Sequence, residues 1–215
     1  MENVIYEKFI DLVKKDICGV TLRKETDVEK VILAMRYDGE KEDFNYNFIT
    51  IVDGDIKEVN GSFTDFQQLV YYINEVGLIN ELITFVEGRI SKEKRFLELR
   101  KELIGQLDQM NLSEEQIKVL LGVITQVTQL SEVVGMANRV CICSTPDYWE
   151  EVRVTDDSRW NDSGEVLHLQ LVQAFDDPAG RMHHGYPELS FEEIVGKILN
   201  SSLIINDNEK LCKNA

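Results

Sequence analysis

The chain has 215 residues, with 23 Lys and Arg against 39 Asp and Glu, a formal net charge of −16. Its 43% apolar content and only 3 Pro exclude a collagen-like, low-complexity or wholly disordered chain. Its apolar runs fall far short of the roughly 20 residues that cross a bilayer. The acidic balance disfavours direct binding to nucleic acid or anionic membrane, which needs clustered Lys and Arg.

The acid is uneven. Residues 1–77 carry 9 basic and 16 acidic side chains, residues 78–135 carry 7 and 9, and residues 136–215 carry 7 and 14. Both ends are therefore strongly acidic while the middle is nearly balanced. The opening MENVIYEKFIDLVKK reads as an amphipathic helix without the basic n-region or cleavage site of a secretory signal. With four dispersed cysteines, Cys18, Cys141, Cys143 and Cys212, reduced thiols and a cytoplasmic location are expected.

In residues 4–17, Ile5, Phe9, Leu12, Val13 and Ile17 fall at helical spacing, and Gly19 suits a stop. Val31, Leu33, Met35 and Tyr37 then alternate with Lys30, Ile32, Ala34 and Arg36, the period of a strand. Phe44, Tyr46 and Phe48 alternate with Asn45 and Asn47, and Asp53-Gly54 signals a hairpin leading into Ile56–Val59. Three antiparallel strands in a meander follow. Asp65 opens a capped helix with Gln68 three positions on, and Gly77 interrupts it.

From Leu78 to Met110 the pattern stays helical, with Gly88 a candidate kink and SKEKRFLELRKE a solvated, self-paired face. Ser113 and Gln116 form a capping box for the next helix, with Leu112 stapling onto Ile117. Strand periodicity returns at Val140 and Ile142, at Val152 and Val154, and at Leu167, Leu169 and Leu171. Asp176 to Glu188, with two prolines, reads as a long loop. Ser190 and Glu193 then box a last helix.

The fold expected is α+β: two small antiparallel three-stranded meanders, each flanked by helices and joined by a helical hairpin. The divisions are an N-terminal αβββα unit over 1–77, the connector over 78–135 and a C-terminal βββα unit over 136–215. Asp65–Ile73 and Ser190–Ile198 align, with Phe, Val and Ile coinciding. That alignment hints at an internal duplication.

Phosphate-loop, GxGxxG, GxSxG, HExxH and paired CxxC motifs are absent from the sequence. Cys141 and Cys143, on one face of a strand, could join His168, His183 and His184 around zinc, or either thiol could pair with His183 or His184 and Asp176 or Asp177 as a nucleophile. Neither spacing matches a known ligand or catalytic set, so no metal, cofactor or catalytic residue is assigned. Both tryptophans, Trp149 and Trp160, are embedded in acid. Large aromatic rings bury much area for little entropy loss and recur at binding hot spots.

These observations point to a non-catalytic acidic protein that binds and occludes a basic partner protein of nucleic-acid-binding or nuclease-like type. Bacterial immunity proteins and phage anti-defence inhibitors share this small, acidic, motif-poor profile. Trp149, Trp160, Asp156, Asp157, Asp162, Asp176 and Asp177 are the expected contact residues, with carboxylates standing where phosphates would. The alternatives are an enzyme using His183 or His184 in the 176–184 loop, and a scaffold oligomerising through the helical hairpin.

Overall fold

The apolar stripe of the first helix, α1 (Glu2–Lys15), buries Ile5, Phe9, Leu12 and Val13. The protein is described by a computed structural model covering residues 2–15, 19–129, 138–156, 167–201 and 203. Asp157, Trp160 and Asp162, like Cys18 and Cys212, lie outside the described residues.

Gly19 sets the direction of the chain before the first sheet. Its φ is +79°, and a Cβ there would come within 2.4 Å of the Met35 carbonyl oxygen, so backbone conformation and space both demand glycine. Four strands follow, β1 (Val20–Glu25), β2 (Glu29–Asp38), β3 (Asp43–Val52) and β4 (Asp55–Phe63), each antiparallel to the next in simple sequence order. This is one strand more than the three expected. β1 lies at the sheet edge, where Val20 and Leu22 alone reach the core and the remainder is Arg23-Lys24-Glu25, so its alternation is only two residues deep. The β3–β4 turn is the one the sequence signals: Asp53 and Gly54 have φ of 50° and 87°, the paired left-handed conformation of a two-residue hairpin.

Helix α2 (Phe66–Glu75) is capped by the Asp65 carboxylate, which accepts from the Gln68 amide at 2.8 Å. Gly77, at φ +72°, ends it. Leu69 and Ile73 turn inward to meet α1 over the inner face of the sheet, among Leu22, Val31, Leu33, Met35 and Phe44. The next helix, α3 (Ile79–Leu107), is helical through Gly88. Leu82 and Val86 belong to this first core, while Phe96, Leu99, Leu103 and Leu107 belong to a second. The chain accordingly divides into two compact units at Lys92 and Glu93, inside α3. Each half of α3 is thus part of a core, because its apolar stripe continues on both sides of the division.

In the second unit α4 (Glu114–Val127) starts at a complete capping box: Ser113 Oγ accepts from the Gln116 amide, and Gln116 Oε1 from the Ser113 amide. Arg100 Nε donates to Thr128 Oγ1 at 2.7 Å, tying α3 to the end of α4. Another antiparallel meander follows, β5 (Arg139–Thr145), β6 (Tyr148–Asp156), β7 (Leu167–Asp176) and β8 (Met182–Gly185). It is closed by α5 (Phe191–Leu199), with a second complete box at Ser190 and Glu193. The stretch read as one loop over 176–188 therefore contains a strand. β8 escapes notice in the sequence because Met182-His183-His184-Gly185 has no apolar alternation; as an edge strand it buries no side chain in the core.

A bulge in β5 overturns a second expectation. Cys141 falls opposite Glu151 but Cys143 falls opposite Glu150, so the extra residue, Ile142, shifts the register by one. Glu150 and Glu151 point to opposite sides of the sheet, and the two thiols do not share a face as an unbroken strand would require.

Both units share the order helix, four-stranded meander, capped helix. Leu69 and Ile73 of α2 and their aligned counterparts Ile194 and Ile198 of α5 are all buried. No single described helix is long and apolar enough to cross a membrane.

Candidate interaction surface

Antiparallel pairing brings distant residues together at one end of the second sheet. Tyr148 lies opposite Phe175, and Phe175 opposite His183; on the other face Trp149, Ala174 and His184 form the next row. The β5–β6 turn and the β7–β8 turn consequently emerge side by side, joined by a hydrogen bond from the Asp176 amide to the Asp147 carbonyl at 3.1 Å. Each histidine of β8 packs on an aromatic ring. His183 stacks on Phe175 with centroids 5.7 Å apart, and His184 stands edge-on to Trp149 at 6.1 Å.

Apolar area is left open around these rows. Phe175 is 44% exposed and Met182 61% exposed, while Trp149 is half-buried. Asp147 and Asp176 are exposed beside them, and neither makes an ion pair among the described residues. Asp177 has a different task. Its Oδ1 accepts from the amides of Ala179 at 2.8 Å and Arg181 at 2.9 Å, and its Oδ2 lies 3.1 Å from His183 Nε2. The bond from the Arg181 amide, then that from His183, holds the Asp177 carboxyl below the usual carboxylate range against a small opposing desolvation. Asp177 shapes the turn; Asp147 and Asp176 present charge.

A polar network braces this surface from the core side. Glu150 Oε1 accepts from Lys197 Nζ of α5 at 2.7 Å, from Gln173 Nε2 at 2.8 Å and from Tyr148 Oη at 2.5 Å. Burial pushes the Glu150 carboxyl up, but the bonds from Lys197, Tyr148 and Gln173 together outweigh it and leave it below its ordinary value. Burial, reinforced by the bond to Glu150, pushes Tyr148 up to about 12. The neighbouring Glu151, also buried, lies 3.4 Å from Arg139 and 3.9 Å from Arg153.

Of the expected contact residues, Trp149, Asp176 and Asp177 are therefore brought together. Asp156 ends β6 at the far side of the sheet, opposite Leu167, about 27 Å along the strand from Tyr148 at strand rise. Phe175, Met182 and Asp147 join the surface without having been singled out. The signal for them is non-local, since it needs the β6–β7–β8 register.

The chemical alternatives find little geometry. His183 and His184 occupy adjacent strand positions and face opposite sides, so they do not converge on one atom. Cys141 Sγ donates to the Cys143 carbonyl at 3.2 Å, and burial pushes the Cys141 thiol up, away from thiolate. Among the described residues no group of three or more His, Cys, Asp or Glu side chains is arranged to hold a metal ion.

No protein-family model matches this chain, and no curated protein or solved structure matches it.

Proposed function

We propose that this protein is a non-catalytic inhibitor that binds a basic, nucleic-acid-binding or nuclease-like protein and occludes its charged surface. The observation that carries the reading is the end of the second sheet, where Trp149 and Met182 on one face and Phe175 on the other offer apolar anchors beside the carboxylates of Asp147 and Asp176, which make no ion pair among the described residues. Aromatic anchors supply affinity at protein interfaces, and flanking charge supplies encounter rate and partner choice. A net charge of −16 extends that attraction over the whole molecule.

The bracing by Asp177 and by the Glu150–Lys197 network supports the same reading. A surface already held in its binding shape loses less entropy on association. The immunity-protein and anti-defence types suggested by composition fit this mode of action, with carboxylates competing for sites that hold phosphates.

The test is affinity capture from host cells with the intact chain, alongside a Trp149→Ala/Asp176→Lys variant, followed by mass spectrometry. The expected result is one or a few basic proteins retained by the native chain and lost by the variant. Equal retention by both would reject this surface.

A further inference from the structure

A concave surface lies in the first unit, and its residues take no part in the surface described above. α1 and α2 turn their main stripes into the core and approach each other closely, with Phe9 and Phe66 rings 6.1 Å apart. Their flanks enclose a groove of about 450 Å³ lined by Tyr6, Glu7 and Ile10 from α1 and by Phe66, Gln67, Val70 and Tyr71 from α2. The lining is built at one-turn spacing on both sides: Tyr6 with Ile10, Phe66 with Val70, and Gln67 with Tyr71. Apolar side chains continue outward from it, Tyr71 at 65% and Val4 at 61% exposure. Neither residue is needed to close the core.

The charged residue in the groove wall is a carboxylate, and further carboxylates lie one turn away on both helices. Glu7 stands in the wall, Asp11 follows one turn later on α1, and Glu75 accepts from Tyr71 Oη at 3.3 Å. Neither Glu7 nor Asp11 makes an ion pair among the described residues. Of the two cations in the last turn of α1, Lys14 and Lys15, Lys14 lies over the Tyr37 ring at 5.1 Å and is thereby directed toward the sheet.

We infer that this groove docks an amphipathic helix of a partner protein, one that sets apolar side chains at i and i+4 into the groove and Lys or Arg beside them against Glu7, Asp11 and Glu75. Two apolar helical flanks one turn long match the anchor spacing of helix-in-groove recognition. The carboxylates select a cationic helix and oppose an acidic one. The inference is independent of the β7–β8 surface, since the groove could take a helix from the same partner or from another.

The experiment titrates the full chain, followed by amide chemical shifts and by anisotropy of a labelled probe, at physiological salt. The probe is a Leu/Lys amphipathic helical peptide of about four turns, and its Leu/Glu counterpart is the control. The expected result is that the Leu/Lys peptide moves amides of residues 4–11 and 66–75, that the Leu/Glu peptide does not bind, and that Tyr71→Ala and Glu7→Lys each weaken binding about tenfold, as loss of an anchor or a paired charge does. Tyr71 and Glu7 are exposed, so these variants keep the fold. Asp147→Lys/Asp176→Lys should leave probe affinity within a factor of about two, the range that distant, non-contacting changes produce. The inference is overturned if the probe does not bind, if Tyr71→Ala binds as the native chain does, or if the Asp147→Lys/Asp176→Lys change weakens the probe as much as Glu7→Lys. That last outcome identifies general attraction to net charge.

Discussion

His184 meets Trp149 edge to face, with ring planes at 74°, across the row that runs from β8 through Ala174 to β6. This contact sets the indole against a strand and leaves part of it open to a partner. Trp149→Ala should therefore lower partner affinity by about tenfold or more, equivalent to at least ~1.4 kcal/mol. His184→Ala, which removes only the supporting ring, should cost less. Calorimetric titration of both variants against the captured partner checks the order.

Asp177 organises the β7–β8 turn through three acceptor contacts, so Asp177→Ala should free the amides of Ala179 and Arg181. Hydrogen exchange at those two positions should accelerate strongly while β6 amides stay protected. The sign of the pH effect follows from the depressed folded value of the Asp177 carboxyl. Its contribution to stability is present above the unfolded aspartate value of about 3.9 and disappears as pH falls through the lower folded value. The Asp177→Ala chain should lack that part of its acid sensitivity, which a series of unfolding midpoints across acid pH measures.

Lys197→Met tests the brace behind the surface. Glu150, buried among Tyr148, Gln173 and Lys197, is ionised in the native chain because those donors outweigh desolvation. Without the ammonium, only Tyr148 and Gln173 oppose the burial, and the carboxyl should rise toward its unfolded value of about 4.3. The native chain gains stability from Glu150 above that value and loses it as pH falls through the depressed one. The variant should show a shallower version of that dependence, because its folded value lies closer to the unfolded one. At neutral pH the loss should be about 1–3 kcal/mol, as for a buried charged group deprived of a partner. Denaturant unfolding at two pH values distinguishes the slopes.

Backbone positions give a calibrated comparison. Ser113→Ala and Ser190→Ala each remove the cap half of a complete box and should each cost about 1 kcal/mol. Gly19→Ala should cost more. It combines a left-handed residue, about 1–3 kcal/mol by itself, with a Cβ at 2.4 Å from the Met35 carbonyl that the backbone must move to relieve. Urea midpoints of the three variants rank them.

Much of this architecture is legible in the sequence because it is encoded locally. Asp65, Ser113 and Ser190 open helices within the four residues that follow them, and Asp53-Gly54 specifies its turn by itself. β1 and β8 are not legible. Both lie at sheet edges, where one strand partner and few core contacts leave little constraint on side chains, and β8 owes its place to the Asp177 turn and pairing with β7. The Ile142 bulge is likewise invisible, since only the partner strand defines the register that it breaks.

The candidate surface is legible in part for the same reason. Acid and indole at Trp149 are adjacent in sequence, but the meeting of Asp147 with Asp176 arises from pairing between β6 and β7. The length of β6 also separates Asp156 from that end, a separation that proximity in sequence conceals.

A basic partner is expected to dock at the β7–β8 end through charge and aromatic contact together. The most direct measurement is the partner's affinity and association rate, from low to high salt, for the native chain and for Asp147→Lys/Asp176→Lys. The native affinity should weaken steadily as salt screens charges over ~8 Å at physiological strength, and the variant should associate more slowly with a shallower salt dependence. Affinity that is indifferent to salt and equal in both proteins would contradict it.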